Sequence, residues 1–210
     1  MNCSLYVVTD EKLSNGKSHA EIAREAVKGG ADIIQLRDKC AESRKLYESA
    51  CEIREITRGK ALFIVNDRLD IALASNADGV HVGQSDLPVS VVRKLSPPGF
   101  IIGISVGSIE EARKGLADGA DYVAVSPVFD TASKSDAGAG HGVNTIIEIR
   151  KAFSDAKILG IGGINKTNVR EVIKAGLDGI AVISAVVSAP DITKAALDLK
   201  EIVLEAKHGC

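Results

Sequence analysis

Aromatic side chains and excess positive charge are both scarce in this sequence. Only 3% of its 210 residues are aromatic, none is Trp, and 26 Lys and Arg residues stand against 28 Asp and Glu residues for a formal net charge of −2. Proteins that bind nucleic acids rely on basic patches and on aromatic platforms for base stacking. We therefore expect no nucleic-acid partner.

Long hydrophobic runs are also missing. No uninterrupted apolar stretch approaches the roughly 18 residues that a membrane-spanning helix needs, so we expect no membrane association. The first twelve residues, MNCSLYVVTDEK, lack the basic region and long apolar core of a secretory signal, and they predict a first strand instead.

Cysteine is used sparingly and without pattern. The four cysteines, Cys3, Cys40, Cys51 and Cys210, have no metal-ligand spacing, and no disulfide framework can be derived from them. Free thiols are the rule in the cytosol, so we expect a cytoplasmic protein.

What the chain does contain is a regular alternation of short apolar strands and amphipathic helices. The predicted strands are 5–8, 32–36, 62–65, 79–82, 100–104, 122–125, 157–161 and 179–183. The predicted helices are 18–29, 41–57, 69–74, 88–95, 108–118, 144–153, 166–175 and 191–206. Four of the strands follow a related turn, of which Gly119-Ala120-Asp121 is one copy.

Eight strand–helix units with near-continuous apolar strands predict a single-domain (β/α)₈ TIM barrel over residues 1–210. An open, doubly wound sheet is the alternative. It normally needs fewer strands, and the first turn lacks a glycine fingerprint. No linker or second domain is predicted.

Two aspartates follow successive predicted strands. Asp67 comes just after the strand 62–65, and Asp86 just after the strand 79–82. The carboxyl ends of parallel strands lie on one face, and two carboxylates brought together there repel each other unless a cation lies between them. Mg²⁺ shared with substrate phosphates suits such a pair. Taken singly, Asp67 also fits a helix cap and Asp86 a turn residue.

The segment that follows the second strand carries an amide and two cations. In Gln35-Leu36-Arg37-Asp38-Lys39, strand alternation places residues 35, 37 and 39 on one side. This combination predicts an anion site, because Arg suits bidentate phosphate contact. A solvated, charged strand end is the alternative interpretation.

Polar or glycine residues also follow the later strands. They are Ser105, the hydroxyls and cation of Thr131-Ala132-Ser133-Lys134, Gly162-Gly163, and Ile183-Ser184. The last two segments predict a barrel phosphate site, although tight turns would have the same sequence. No Ser-His-Asp or Cys-His arrangement is evident, and His81 inside the fourth strand is interpreted as structural. The set of groups indicates that a diphosphate ester is joined or broken.

Several motifs together resemble those of the thiamine-phosphate synthase family. They are Q-L-R-D-K (35–39), N-D-R-x-D-I-A-L-A (66–74), D-G-V-H-V-G-Q-x-D-L-P (78–88), G-I-S (103–105), S-P-V-F-x-T-x-S-K (126–134), G-I-G-G-I (160–164) and V-I-S-A (182–185). The resemblance runs through nearly the whole chain, in order. It implies a TIM barrel that transfers a hydroxymethylpyrimidine group from its diphosphate to the ring nitrogen of a thiazole phosphate, with Mg²⁺ as cofactor.

The resemblance also implies roles for individual residues. Asp67 and Asp86 would bind Mg²⁺. The groups implied to act on the diphosphate or pyrimidine are Arg37, Lys39, Asn66, Ser105 and Lys134. The other implied substrate-binding residues are Gln35, Leu36, Asp38, Thr131, Ala132, Ser133, Gly163, Ile183 and Ser184. The two substrates would be the partners, and the sequence leaves self-association open.

Three residues depart from the family pattern. Asp130 replaces a common Pro, Ser133 a common Thr, and Gly107 a frequent His. We expect Asp130 to add negative charge near the diphosphate. A related thiazole tautomerase is one rival, but such proteins tend to have His where this chain has Pro127. A non-catalytic, phosphate-binding paralogue is another, and it would need no paired carboxylates.

Overall fold

The computed structural model describes residues 3–131 and 140–209. The strands in this part of the chain are β1 (Leu5–Val8), β2 (Ile33–Leu36), β3 (Leu62–Asn66), β4 (Gly79–Val82), β5 (Ile101–Val106), β6 (Tyr122–Val125), β7 (Ile158–Ile161) and β8 (Gly179–Val182). Each strand pairs in parallel with the next, and β8 pairs with β1, so the sheet closes into a barrel. The predicted TIM barrel is confirmed.

Helices cover the outside of the barrel. Over the described residues they are α1 (His19–Lys28), α2 (Ser43–Thr57), α3 (Leu69–Ala74), α4 (Val89–Leu95), α5 (Ile109–Ala117), α6 (Gly142–Ala152), α7 (Val169–Lys174), α8 (Ser184–Val187) and α9 (Ile192–His208). A capping box begins α1, with Ser18 and Glu21 each accepting from the other's backbone N–H. None of these helices combines the length and apolar character needed to cross a bilayer.

Two details of the predicted pattern are corrected. The fifth strand continues past 104 to Val106, so Ser105 lies inside a strand and not after it. The short helix α8 was not predicted, because four residues are too few to show a helical period in the sequence. Its position directly after β8 places a helix start beside Ser184 at the mouth of the barrel.

The repeated turns fasten the amino-terminal ends of the strands. Asp178, just before β8, accepts a hydrogen bond from the backbone N–H of Ile158 in β7 at 2.8 Å. The same carboxylate oxygen accepts from the Arg150 guanidinium at 2.6 Å. Asp121 and Asp78 make equivalent contacts, each with the first part of the preceding strand and an Arg of the helix before it. These aspartates therefore connect neighbouring strands at their amino-terminal ends, on the face of the barrel opposite the predicted site.

Buried polar side chains fill the barrel interior beneath the mouth. The rings of Tyr6 and Tyr122 meet edge to face, with their hydroxyl oxygens 3.1 Å apart. Gln35 Nε2 donates to the Tyr6 hydroxyl at 2.5 Å, and His81 Nδ1 lies 3.0 Å from the Tyr122 hydroxyl. The Tyr122 ring fits because residue 103 is Gly: a Cβ there would lie 2.0 Å from the ring. This hydrogen-bond network links side chains of β1, β2, β4 and β6 inside the barrel, directly beneath the mouth.

Candidate active site

A polar cavity opens at the carboxyl ends of β2 to β5. Its empty volume is about 850 Å³, including open space at the mouth. The predicted site residues that line it are Arg37, Lys39, Asn66, Asp67, Asp86 and Ser105. The barrel therefore brings together side chains from four different strand ends, and this space is called the anion cavity below.

The two aspartates of the anion cavity lie against each other. Burial and the neighbouring carboxyl of Asp86 raise the pKa of Asp67 to about 6, against the opposing charges of Lys39 and Arg37. Lys39 Nζ is 3.8 Å from Asp67 Oδ2, and Asp86 Oδ2 is held by the backbone N–H of Gly83 at 2.7 Å. Two crowded, partly buried carboxyl oxygens are a donor set that fits a hard divalent cation.

Asp67 does not cap the helix that follows it. The N-cap position of α3 is Arg68, and no side chain caps this helix. Asp67 itself adopts a left-handed backbone conformation, with φ of 60°. Non-glycine residues reach this region at some energetic cost, and such strain is found preferentially at functional sites. The backbone turn directs the carboxyl towards Asp86 instead of into the helix.

The segment 35–39 divides between the cavity and the protein interior. Arg37 and Lys39 line the anion cavity, and Arg37 Nη1 is 3.6 Å from Asp10 Oδ2. Gln35 points down into the barrel, where its amide donates to Tyr6, and Leu36 is fully buried in the hydrophobic core. The alternation predicted for the segment is therefore present, but the side chains of residues 35 and 36 are occupied in the fold.

Asp38 also faces away from the anion cavity. Its Oδ1 accepts from the backbone N–H groups of Cys40 and Ala41 at 2.9 and 3.0 Å. Its Oδ2 lies 3.6 Å from His19 Nε2, in a neighbouring cavity that Arg37 and Lys39 also line. The carboxylate therefore belongs to a separate cluster at the edge of the mouth.

Ser105 connects the interior network to the anion cavity. Its Oγ lies 2.9 Å from His81 Nε2, and its backbone oxygen accepts from Gln84 Nε2 at 2.7 Å. His81 in turn lies against Tyr122, so the hydroxyl of Ser105 is fixed from below. His81 is buried, as a structural residue would be, yet it also lines the anion cavity.

A second, smaller cavity lies at the ends of β7 and β8. Its empty volume is about 370 Å³, and four of the implied substrate-binding residues, Thr131, Gly163, Ile183 and Ser184, line it. Gly163 has a φ of 65°, and a Cβ there would lie 2.7 Å from the side chain of Phe129. Only Gly allows the backbone to pass so close to its neighbour, so this space is called the glycine cavity below.

The two cavities share one wall. Ser126 and Pro127, which follow β6, line both of them. Groups bound on either side of this wall would therefore be neighbours, as a transfer reaction between two substrates requires.

His141 is a cavity residue that the sequence did not single out. It stands at the start of α6 and lines the anion cavity. Its ring lies over Gly107, where a Cβ would be 2.5 Å from His141 Cε1. The departure at position 107 thus leaves room for an imidazole from another element. Gly107 and His141 are far apart in the sequence, so no local pattern indicated this contact.

The loop 126–142 is described in part. Ala132, Ser133 and Lys134, predicted to bind substrate, lie outside the described residues. At the end of the loop, Asp130 Oδ1 accepts from the backbone N–H of Gly140 at 2.8 Å. The unusual aspartate therefore has a structural contact, since it joins the two stems of the loop.

Comparison with known proteins agrees with this geometry. A family model described as thiamine monophosphate synthase matches residues 5–186. Thiamine-phosphate synthase of Methanoculleus marisnigri is 55% identical over 208 residues, covering 99% of this chain and 98% of that protein. The corresponding protein of Methanoregula boonei is 56% identical over 209 residues, covering 99% and 96%.

A solved structure extends the similarity to three dimensions. Thiamine phosphate pyrophosphorylase from Pyrococcus furiosus superposes with a TM-score of 0.90 at 45% identity, covering 98% of this chain and 97% of that one. Fold, motifs and whole-length identity point the same way. The chain belongs to the thiamine monophosphate synthase family and is a transferase.

Proposed function

We propose that this enzyme transfers a hydroxymethylpyrimidine group from its diphosphate to the ring nitrogen of a thiazole phosphate, in a Mg²⁺-dependent reaction that releases diphosphate. The observation that carries the proposal is the pair of adjoining cavities. One contains crowded carboxyls beside two cations, the other a glycine turn beside a helix start, and Ser126 and Pro127 separate them.

The anion cavity is assigned to the pyrimidine diphosphate. Arg37 and Lys39 supply positive charge and Asn66 an amide donor, which together suit a diphosphate. Asp67 and Asp86 would hold Mg²⁺, whose charge would be shared with the diphosphate oxygens. The raised pKa of Asp67 supports this assignment, because a cation between the carboxyls would offset both of its causes, the burial of the charge and the neighbouring Asp86 carboxyl.

The chemistry needs charge stabilisation and positioning. The bond between the pyrimidine methylene carbon and the diphosphate oxygen breaks, and its electron pair leaves with the diphosphate. The lone pair of the thiazole nitrogen then forms the new carbon–nitrogen bond. No proton has to be removed from the nitrogen, so no general base is required. Ser105, held by His81, is assigned to contact the pyrimidine.

The glycine cavity is assigned to the thiazole phosphate. Its phosphate would lie beside Gly163 and the beginning of α8, where the first backbone N–H groups of a helix lack intrahelical partners. Thr131 would add a hydroxyl from the opposite side. The shared wall would then place the nucleophilic nitrogen beside the carbon it attacks, which removes much of the entropic cost of a two-substrate reaction.

Two variants, each expected to weaken the binding of one substrate and not the other, test the two assignments. By titration calorimetry with Mg²⁺ present, Arg37→Ala should weaken pyrimidine diphosphate binding roughly 10- to 100-fold, the loss of a charge-assisted hydrogen bond. It should leave thiazole phosphate binding unchanged, and Ser184→Ala should show the reverse pattern. Arg58→Ala is the control, since this arginine is exposed at the end of α2. If each variant weakened both ligands equally, the two-cavity assignment would be wrong.

A further inference from the structure

A cluster of potential metal ligands lies outside both substrate cavities. Glu11 follows β1, His19 is the first residue of α1, and Asp38 follows β2. One ligand atom from each residue, the His19 Nε2 and a carboxylate oxygen from each acid, lies within 4.8 Å of the other two. The cluster faces a cavity at the edge of the barrel mouth. None of these three side chains belongs to the proposed magnesium pair.

His19 gives this cluster a feature that acidic surface groups lack. Its side chain is 3% exposed, and its Nε2 atom is buried without a hydrogen-bond partner. That atom is aimed at Asp38 Oδ2, 3.6 Å away, and at Glu11 Oε1, 3.9 Å away. Both distances are too long for hydrogen bonds, which need about 3.2 Å or less. Burying a polar atom with no partner is costly, so a missing partner between these groups is indicated.

The other ring nitrogen has a partner that is compatible with metal binding at Nε2. His19 Nδ1 lies 2.7 Å from Thr9 Oγ1, a good hydrogen bond. If Nδ1–H donates to Thr9, the bare lone pair of Nε2 points at two carboxylates, and a proton or a metal ion between these groups makes the arrangement favourable. Metal-binding histidines characteristically donate their second ring N–H to such an acceptor, which fixes the tautomer.

Hydrogen bonds from backbone N–H groups also hold the two carboxylates in place. Asp38 Oδ1 accepts two backbone N–H groups, which leaves Oδ2 turned towards His19. Glu11 Oε1 accepts from the His19 backbone N–H at 3.1 Å, and its Oε2 lies 3.7 Å from Lys45 Nζ. Ligand bonds of about 2.0–2.2 Å in a tetrahedral site separate the ligand atoms by roughly 3.3–3.6 Å. The His19 Nε2 distances of 3.6 Å to Asp38 and 3.9 Å to Glu11 lie at or just above that range, and the two carboxylate oxygens lie within 4.8 Å of each other.

We propose that Glu11, His19 and Asp38 form a binding site for a divalent transition metal of the Zn²⁺ class, distinct from the magnesium pair. An imidazole with two carboxylates suits a borderline cation better than Mg²⁺, which prefers oxygen ligands and retains its water. The open coordination positions face the cavity at the barrel edge. The bound ion would join the β1–α1 loop to the end of β2, which carries Arg37 and Lys39. The site does not depend on the transfer reaction proposed above.

Cobalt titration tests the site directly. The chain is stripped with a chelator and returned to buffer with millimolar Mg²⁺, which occupies the magnesium pair, and Co²⁺ is then added as a spectroscopic substitute for Zn²⁺. We expect visible d–d absorption that saturates at one Co²⁺ per chain and is displaced by Zn²⁺. His19→Ala should weaken binding at least about 100-fold, since even loss of an outer hydrogen bond to a ligand costs 10- to 100-fold.

Matched variants make the result decisive. Asp38→Asn should weaken cobalt binding while keeping the buried His19 ring. It therefore tests the site even if circular dichroism shows that His19→Ala is unfolded. Thr9→Val should weaken it roughly tenfold, the cost of losing an outer hydrogen bond. Cys40→Ser and Asp67→Asn should leave binding unchanged. Absence of saturable binding, equal binding by Asp38→Asn, or loss of binding in Cys40→Ser or Asp67→Asn would each overturn the proposal.

Discussion

Replacing Asp67 with Asn should stabilise the metal-free fold while abolishing Mg²⁺-dependent turnover. The pKa of Asp67 is raised from 3.8 to about 6 by burial and by the Asp86 carboxyl. Each pH unit corresponds to about 1.4 kcal/mol, so ionised Asp67 costs the fold up to roughly 3 kcal/mol at pH 8. Asn has the same shape, tolerates the left-handed backbone at this position and carries no charge.

The pH dependence of this effect has a definite sign. A carboxyl whose pKa is higher in the folded chain binds its proton more tightly there, so the wild-type chain gains stability as the pH falls from above 6 towards 4. The advantage of Asp67→Asn should therefore be largest at pH 8 and should disappear near pH 4. Saturating Mg²⁺ should raise the unfolding free energy of the wild type but not that of the variant, because ligands stabilise only the state that binds them.

Urea unfolding followed by circular dichroism, with and without Mg²⁺, measures these differences. Asp70→Asn is the matched control, because Arg68 lowers the pKa of this exposed carboxyl and its removal should be neutral or slightly destabilising at pH 8. If Asp67→Asn were equally destabilising at pH 4 and pH 8, the two carboxyls would not be forced together, and the proposed magnesium site would lose its physical basis.

Three further predictions concern other parts of the chain. Lys134 lies outside the described residues, and Lys134→Ala should slow the chemical step roughly 100-fold in single-turnover kinetics, because the leaving diphosphate would lose one stabilising positive charge. Thiazole phosphate binding should change little. Asp178→Asn should lower the unfolding free energy by about 2 kcal/mol at pH 7, because its carboxylate accepts from Ile158 N–H and Arg150. The pKa of Asp178 is lowered, as these donors outweigh burial, so the difference from wild type should shrink as acid titration passes below pH 4. Gly103→Ala should lower the unfolding free energy by about 3 kcal/mol, measured by thermal or urea unfolding, because the new methyl group would overlap the Tyr122 ring.

Local pattern was enough to predict the barrel. Apolar runs such as 62–65 and 79–82 alternate with helices, and parallel strands joined in this way bring their carboxyl ends to one mouth. The grouping of Arg37, Asp67 and Asp86 in one cavity follows directly from that topology. Strand alternation also predicted which side of the segment 35–39 each residue faces.

Contacts between residues that are distant in the chain could not be predicted from the sequence. The His141 ring lies over Gly107, and Asp130 binds the backbone of Gly140, but neither contact leaves a periodic signal. Gln35, which the resemblance implies to bind substrate, donates its amide inside the barrel to Tyr6, 29 residues earlier in the chain, and the sequence gave no sign of this bond. Side-chain direction at such positions depends on which partner the fold supplies, and that becomes visible only when the strands are placed side by side.

Turnover with both substrates tests the central claim most directly. The chain would be incubated with hydroxymethylpyrimidine diphosphate and thiazole phosphate, with Mg²⁺ or with a chelator, and the products quantified by chromatography. We predict equal amounts of thiamine phosphate and diphosphate when Mg²⁺ is present, and neither product when it is removed or when Asp86→Asn replaces the wild type. Equal rates with and without Mg²⁺, or with Asp86→Asn, would contradict the magnesium assignment, and no thiamine phosphate under any condition would contradict the proposed reaction.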